Sequence, residues 1–378
     1  MKIPFNKPHL THKEMGYISH AHALGQLSGD GYYTKLCHKW LEKYTGTKKC
    51  LLTHSCTAAL EMTAILSDFK PGDEIIMPSF TFVSSANAFV LRGGVPVFVD
   101  VRNDTFNINE KLIEQAITKK TKAIMVVHYA GVGCEMDTIV KIAKKHKLLL
   151  LEDAAQGFSA KYKGKHLGTI GDMGAYSFHE TKNVISGEGG ALLINNPRFI
   201  NRAEIIREKG TNRSMFLRGE VDKYSWVDIG SSYLPGEIVS AFLMAQLEEG
   251  KKITKKRIKI WNQYHKSFKE LEDKGLMRRP IVPKDCEQNA HMYYIVLDDL
   301  VTKQKLANFL RDRDILAVSH YVALHSSLAG KRYGRYVGDM RVTDKVANTL
   351  LRIPLYYDIT DNEMEVIVKN VKDFFKNK

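Results

Sequence analysis

From about residue 50 to residue 195, short apolar runs alternate with segments whose apolar residues recur at helical spacing. "CLLTHSC" leads into "TAALEMTAILSDF", "EIIMPSF" into "SSANAFVLRGG", and "VPVFVDV" into "NEKLIEQAIT". "KAIMVVHYAG" precedes "EMDTIVKIAKKHK", where Met136, Ile139, Val140 and Ala143 share one helical face. "LLLLEDAAQ" follows as an apolar strand ending in acids, and "GAYSFH" reads as one more strand. Such alternation predicts an α/β domain with a mostly parallel sheet and helices on both faces. Ligands of these sheets collect at the carboxyl ends of the strands.

Beyond about residue 245 the pattern changes. A long basic helix is predicted through "AQLEEGKKITKKRIKIWNQYHKSFKEL", then strands in "HMYYIVLDDL" and "ILAVSHYVALH" with a helix between them. A chain of 378 residues exceeds one simple domain. The expected division is a large domain over 1–249, including the N-terminal segment, and a smaller α+β domain over 250–378.

Composition narrows the classes. With 44% hydrophobic and 26% charged residues the chain reads as globular. "MKIPFNKPHLTHKEMG" holds no apolar signal core and no apolar run approaches roughly 18 residues, so a cytoplasmic protein without membrane spans is expected. The cysteines (Cys37, Cys50, Cys56, Cys134 and Cys286) are scattered and never spaced as CxxC, so neither a disulfide framework nor a metal site is expected. A net charge of +14 raises the question of nucleic acid, but stretches such as "KKITKKRIK" read as solvated helix faces. Small substrates carrying several negative charges fit that charge better than nucleic acid does.

Four stretches hold candidate chemistry. Asp153 ends a buried strand, where an unpaired carboxylate would cost several kcal/mol; it either caps the following turn or pairs with a protonated ring nitrogen of a cofactor. Lys182, in "SFHETKN", lies between a strand and the turn "SGEGG". Shielded from water beside a cation it would be held as the free amine, which attacks aldehydes. Ser55, Cys56 and Thr57 precede a helix whose first N–H groups form an anion site, with simple capping as the alternative. Ser177 offers a second hydroxyl, and Phe82, in "PSFTFVSSAN", either stacks on a planar ring or fills core. A phosphate site, a stacking ring, a carboxylate and an imine-forming lysine together describe pyridoxal phosphate.

At these residues the sequence resembles the DegT/DnrJ/EryC1/StrS sugar aminotransferases, from "IPFNKP" to "LRIPLYY" and through "LSGDGYYT", "LEDAAQG", "SFHETKN" and "GSSYL". The resemblance implies the aspartate-aminotransferase fold (fold type I), a homodimer with active sites at the interface, and pyridoxal phosphate bound covalently by Lys182. It further implies that Asp153 holds the pyridine nitrogen, that Gln156 lies near the phenolic oxygen, that Cys56, Thr57 and Ser177 hold the phosphate, and that Phe82 stacks on the ring. Many relatives carry Asn and Arg in "GxNYR", which reaches the neighbouring subunit's cofactor; here Ser232 and Leu234 stand in those places. Relatives that remove a hydroxyl carry histidine in place of the lysine, so Lys182 implies amino transfer. The implied reaction moves nitrogen from L-glutamate to a nucleotide-linked keto sugar for cell-surface polysaccharide. The expected acceptor is dTDP-4-dehydro-6-deoxyglucose; the alternatives are a GDP-linked ketone and a non-catalytic binding protein of the same fold. His179, His320 and His325 either approach the sugar or pack.

Overall fold

The computed structural model describes residues 2–376. Its strands are β1 (Lys49–Thr53), β2 (Glu74–Pro78), β3 (Val95–Val99), β4 (Thr121–Val127), β5 (Leu149–Asp153), β6 (Lys161–Tyr162), β7 (Lys165–His166), β8 (Met173–Ser177), β9 (Gly190–Ile194), β10 (Cys286–Glu287), β11 (Tyr293–Val296), β12 (Val318–Ser319), β13 (Arg335–Tyr336) and β14 (Leu350–Ile353). The main sheet has eight strands in the order β1-β9-β8-β5-β4-β2-β3-β13, and β9 runs against both of its neighbours. Smaller sheets are β10-β6-β7 and β11-β14-β12.

The apolar runs explain the layering. Along β4, Ile124 and Val126 face one core, with Tyr33, Leu41 and Ile139, while Ala123 and Met125 face another, with Leu60, Met62 and Phe89. Burial on both faces is what a parallel sheet between helices requires. A third core gathers Trp261, Tyr264, Tyr293, Leu306, Leu351 and Ile353 around the β11-β14-β12 sheet. A fourth cluster joins Phe80, Phe106 and Tyr129 to Tyr294 and Leu350, which fixes the small sheet against the strand ends of the large one.

Three expectations change in detail. The helix expected in "NEKLIEQAIT" is a 3-10 turn at Glu110–Leu112 followed by one turn at Ile113–Ala116, too short to be a covering helix. "ILAVSHYVALH" contributes the two residues of β12 and then leaves the sheet, because His320 and Tyr321 are turned onto Tyr129 and Phe80 and Leu324 N–H is taken by Ser79 O at 3.0 Å. The long helix begins earlier than its basic stretch, at Glu237, and runs to Ser267. Glu237 is buried and accepts hydrogen bonds from the N–H groups of Gly31 (3.0 Å), Tyr33 (2.7 Å) and Thr34 (3.2 Å), so its carboxylate completes the start of the helix Tyr32–Thr45. That long helix passes through residues 249 and 250, and β13 returns from beyond both to pair with β3.

Candidate active site

Strands β1, β2, β5 and β8 end on the same side of the main sheet, and the loops that follow them form the floor of a cavity of about 790 Å3. After β1 the chain turns directly into the helix Cys56–Leu66. Ser55 Oγ accepts from Ala58 N–H at 3.1 Å, which caps the helix and leaves the amides of Cys56 and Thr57 ahead of its first internal bond. Thr57 Oγ1 lies 2.8 Å from Ser84 Oγ, at the start of the helix Val83–Val90. Strand β9 passes under this turn so closely that a Cβ at Gly190 would sit 2.4 Å from the Ser55 carbonyl carbon. Ser177 closes the same end from β8 and lines the cavity. The donor set, two helix starts and two hydroxyls, suits a phosphate dianion.

Glu152 and Asp153, adjacent on β5, have opposite environments. Glu152 is sealed in: Oε2 meets His128 Nε2 at 2.9 Å and Gly168 N–H at 2.7 Å, and Oε1 accepts from Ile170 N–H at 2.6 Å. Asp153 faces the cavity, with Oδ2 accepting from Ser85 Oγ at 2.6 Å and Oδ1 from Ala155 N–H at 3.1 Å. An ionised carboxyl has about four lone-pair directions. Asp153 therefore keeps acceptor capacity toward the cavity, and Glu152 serves as the buried brace behind it.

Lys182 sits in a loop pinned at both ends, by Phe178 N–H to Gly189 O at 2.8 Å and Glu180 N–H to Gly187 O at 2.8 Å. Its neighbour Asn183 donates to Asn289 O at 2.7 Å, which ties the loop to the small-sheet side. Burial lowers the pKa of Lys182 below its usual 10.5; Cys56 and Asp153 oppose that shift and Arg352 adds to it. The net shift eases loss of the Lys182 proton. Burial pushes the Cys56 thiol well up, and pushes the imidazoles of His291 and His320 well down, so both rings are neutral.

Of the residues singled out from sequence, Ser55, Cys56, Thr57, Phe82, Asp153, Gln156, Ser177, His179, Lys182 and His320 all line this cavity. Phe82 is 56% exposed, so it is not core filling. Both ends of the Gln156 amide are engaged, Oε1 by Ala130 N–H at 2.6 Å and Nε2 by donation to Tyr321 Oη at 2.8 Å. His179 is at the rim, with Nδ1 at 2.9 Å from Thr181 Oγ1. His320 stacks on Tyr321 at 3.7 Å and pairs with Tyr129 Oη at 2.8 Å. His325 is outside the lining, buried with Nδ1 at 2.8 Å from Ser79 Oγ. Ser232 bridges Glu208, and Leu234 packs on Gly29. Sequence reasoning missed Ser85, Asn183, His291, Tyr321 and Arg352. Tyr321 and Asn183 adjoin residues already singled out, and Ser85 stands four positions after Thr81 with their hydroxyls 2.8 Å apart; His291 and Arg352 carry no local signal.

The model of the DegT/DnrJ/EryC1/StrS aminotransferase family matches residues 8–372. The spore coat polysaccharide biosynthesis protein SpsC of Bacillus subtilis is 29% identical, over 99% of this chain and 97% of its own. The GDP-perosamine synthase of Escherichia coli O157:H7 is 28% identical, over 100% of this chain and 99% of its own. A Streptococcus pneumoniae protein assigned as a sugar aminotransferase, solved in its PLP-form, superposes with a TM-score of 0.91 at 25% identity, covering 100% of this chain and 99% of that one. The fold is thus that of the fold type I aminotransferases, and the cofactor is pyridoxal phosphate, which the donor set fits: Ser55–Thr57 and Ser177 would hold the phosphate, Asp153 would meet the ring nitrogen and Lys182 would meet the aldehyde. With the match running over nearly its whole length, the chain belongs to the DegT/DnrJ/EryC1/StrS aminotransferase family.

Proposed function

We propose that this protein transfers the amino group of L-glutamate to C4 of dTDP-4-dehydro-6-deoxy-D-glucose, giving dTDP-4-amino-4,6-dideoxy-D-galactose for a cell-surface polysaccharide such as enterobacterial common antigen. The observation that carries amino transfer is the Lys182 amine, depressed by burial and set beside Asp153 in one cavity. A nucleotide-linked acceptor is supported by the cavity's size, by the positive balance of 56 basic against 42 acidic residues, and by the relative named for GDP-perosamine. The dTDP sugar is the acceptor that the resemblance in the sequence implies.

When bound, pyridoxal phosphate supplies an electron sink for the pair released at the donor's Cα. The protein's part is then specific. Asp153, held by Ser85 and the Ala155 amide, would accept from the protonated pyridine nitrogen. The helix start at Cys56, with Thr57 and Ser177, holds the phosphate. Lys182 Nζ, which would hold the aldehyde, would take the proton from the donor's Cα and give one to sugar C4. The neutral rings of His320 and Tyr321 cover the cavity from the small sheet and exclude water from that transfer.

We infer a homodimer as well. The loop 210–233 exposes Leu217, Tyr224 and Val227, with Trp226 82% exposed, a patch that a second copy would cover. Among the described residues no helix is long and apolar enough to cross a membrane.

The test is to incubate the cofactor-loaded protein with L-glutamate and dTDP-4-dehydro-6-deoxyglucose and to follow the sugar ring by NMR. Appearance of an amine at C4 is expected, with the GDP-linked ketone turned over poorly. Turnover of the GDP-linked ketone alone would give the second reading, perosamine synthesis, in place of the first.

A further inference from the structure

The basic stretch of the long helix has no part in the cavity. From Gly250 to Lys269 the chain holds no acidic residue, and Lys251, Lys252, Lys255, Lys256, Lys259 and Lys266 are all exposed. The other side of the same helix is anchored: Ile253, Ile260, Trp261 and Tyr264 are buried, and Arg257 donates to the carbonyls of Ala290, His291 and Leu355. The helix therefore cannot turn its lysines inward. Lys252, Lys255, Lys256, Lys259 and Lys266 follow one another at three-, four- and seven-residue steps, so they share one face. That face is about 21 Å long at the rise of an α-helix, and with Tyr357 it lines an open groove.

Like charges at these spacings repel, and a solvated helix face ordinarily alternates the sign of its charges. Here the neighbouring acids are spent elsewhere. Glu249 is shared between Lys13 at 2.8 Å and Lys252 at 3.4 Å, and Asp358 Oδ2 lies 3.0 Å from His9 Nδ1. Among the described residues Lys255, Lys256, Lys259 and Lys266 form no ion pair.

The kind of anion follows from what the face lacks. In mid-helix every backbone N–H is used within the helix, so no amides converge to enclose a small phosphate. No arginine lines the groove. Its one ring, Tyr357, is stacked on His9 at 3.7 Å and covered by Lys256 at 4.1 Å, so none is free for a nucleic-acid base. What remains is a straight row of flexible point charges, which matches an extended field of negative charge better than a single ligand. We propose that this face of the helix rests on an anionic phospholipid surface, in a peripheral contact made by charge. The inference is independent of which sugar the cavity takes.

The test is sedimentation of the full-length, cofactor-loaded protein with vesicles of equal parts phosphatidylglycerol and phosphatidylcholine, and with vesicles of phosphatidylcholine alone. Binding to the first only is expected, and it should vanish in about 1 M salt, where the screening length is about 3 Å. Each lysine near such a surface is worth roughly a five-fold change in partition, so the triple variant Lys255→Gln, Lys256→Gln, Lys259→Gln should lose on the order of 100-fold and each single variant about five-fold. A control triple, Lys141→Gln, Lys144→Gln, Lys305→Gln, removes the same charge from exposed positions on other helices and should keep most of the binding. None of these lysines lines the catalytic cavity, so turnover and melting temperature should stay close to those of the wild type in both triples. No binding by the wild type, equal loss in the two triples, or binding to neutral vesicles as strong as to anionic ones overturns the proposal. So does tighter binding to a duplex DNA fragment at the same salt, lost in the Lys255, Lys256, Lys259 triple, since the face would then serve nucleic acid.

Discussion

The two walls of the cavity are built on different principles. On the large-sheet wall each polar group stands at the carboxyl end of a strand and is fixed by nearby backbone or a hydroxyl: Ser55 by the helix it caps, Asp153 by Ser85 and Ala155, Lys182 by a loop pinned at Phe178 and Glu180. On the small-sheet wall the groups hold one another, His320 by stacking on Tyr321 and pairing with Tyr129, Tyr321 by accepting from Gln156, and Arg352 in part by a ring. The first wall presents charges whose positions the sheet dictates. The second presents neutral rings and one cation, and its shape exists only because two sheets dock through the Phe80, Tyr129 and Tyr294 cluster. The difference assigns bond-making to the first wall and recognition to the second.

The sharpest way to break that assignment is Lys182→Ala. Both half-reactions should fall by about four orders of magnitude or more, with loss of the visible chromophore of the bound cofactor, because one amine serves as attachment point and base in each. Retention of either half at the wild-type rate would move the chemistry elsewhere. Next is Asp153→Asn, expected to slow both halves alike by roughly 10- to 100-fold, the worth of a hydrogen bond to a charged group. Its neighbour supplies the control: Glu152→Gln should cost about 1–3 kcal/mol of unfolding free energy by facing an amide toward N–H donors, yet leave turnover close to normal. Denaturant titration and steady-state rates on the pair check both. A similar loss of turnover in each variant would mean that the cavity side of β5 has no special status.

The large-sheet wall was legible in the sequence, and the reason is local. Asp153 follows an apolar run of strand length, Thr57 opens an apolar helix, and Lys182 lies between a strand and a glycine turn, so position in the fold follows from neighbours in the chain. The small-sheet wall was not, because His291, Tyr321 and Arg352 meet through docking of separate elements, and nothing in "LLRIPLYY" separates an arginine facing a cavity from one facing solvent. His325 shows the converse: its nearness in sequence to His320 promised the cavity, but the chain leaves the sheet after β12 and delivers it to Ser79 instead. The Glu110–Leu112 turn failed as a helix for a related reason, since a covering face needs more than the single turn that follows it.

The smallest expected effect bears on how well the two walls seal together. Burial lowers the pKa of Lys182 in the folded chain from 10.5, so between that lowered value and 10.5 the unfolded chain binds more protons than the folded one. Stability of the cofactor-free protein from this group therefore rises with pH across that window, and the full penalty of a buried ammonium applies below it, reduced in part by Asp153. Lys182→Met removes the penalty while keeping an apolar stem of similar length. The variant should melt at a higher temperature than the wild type near neutral pH, and the gap should narrow as the pH approaches 10.5. If the variant instead melts lower at neutral pH, the lysine's charge is well solvated or well paired, and the rings of the small-sheet wall do not close over it as the folded geometry implies.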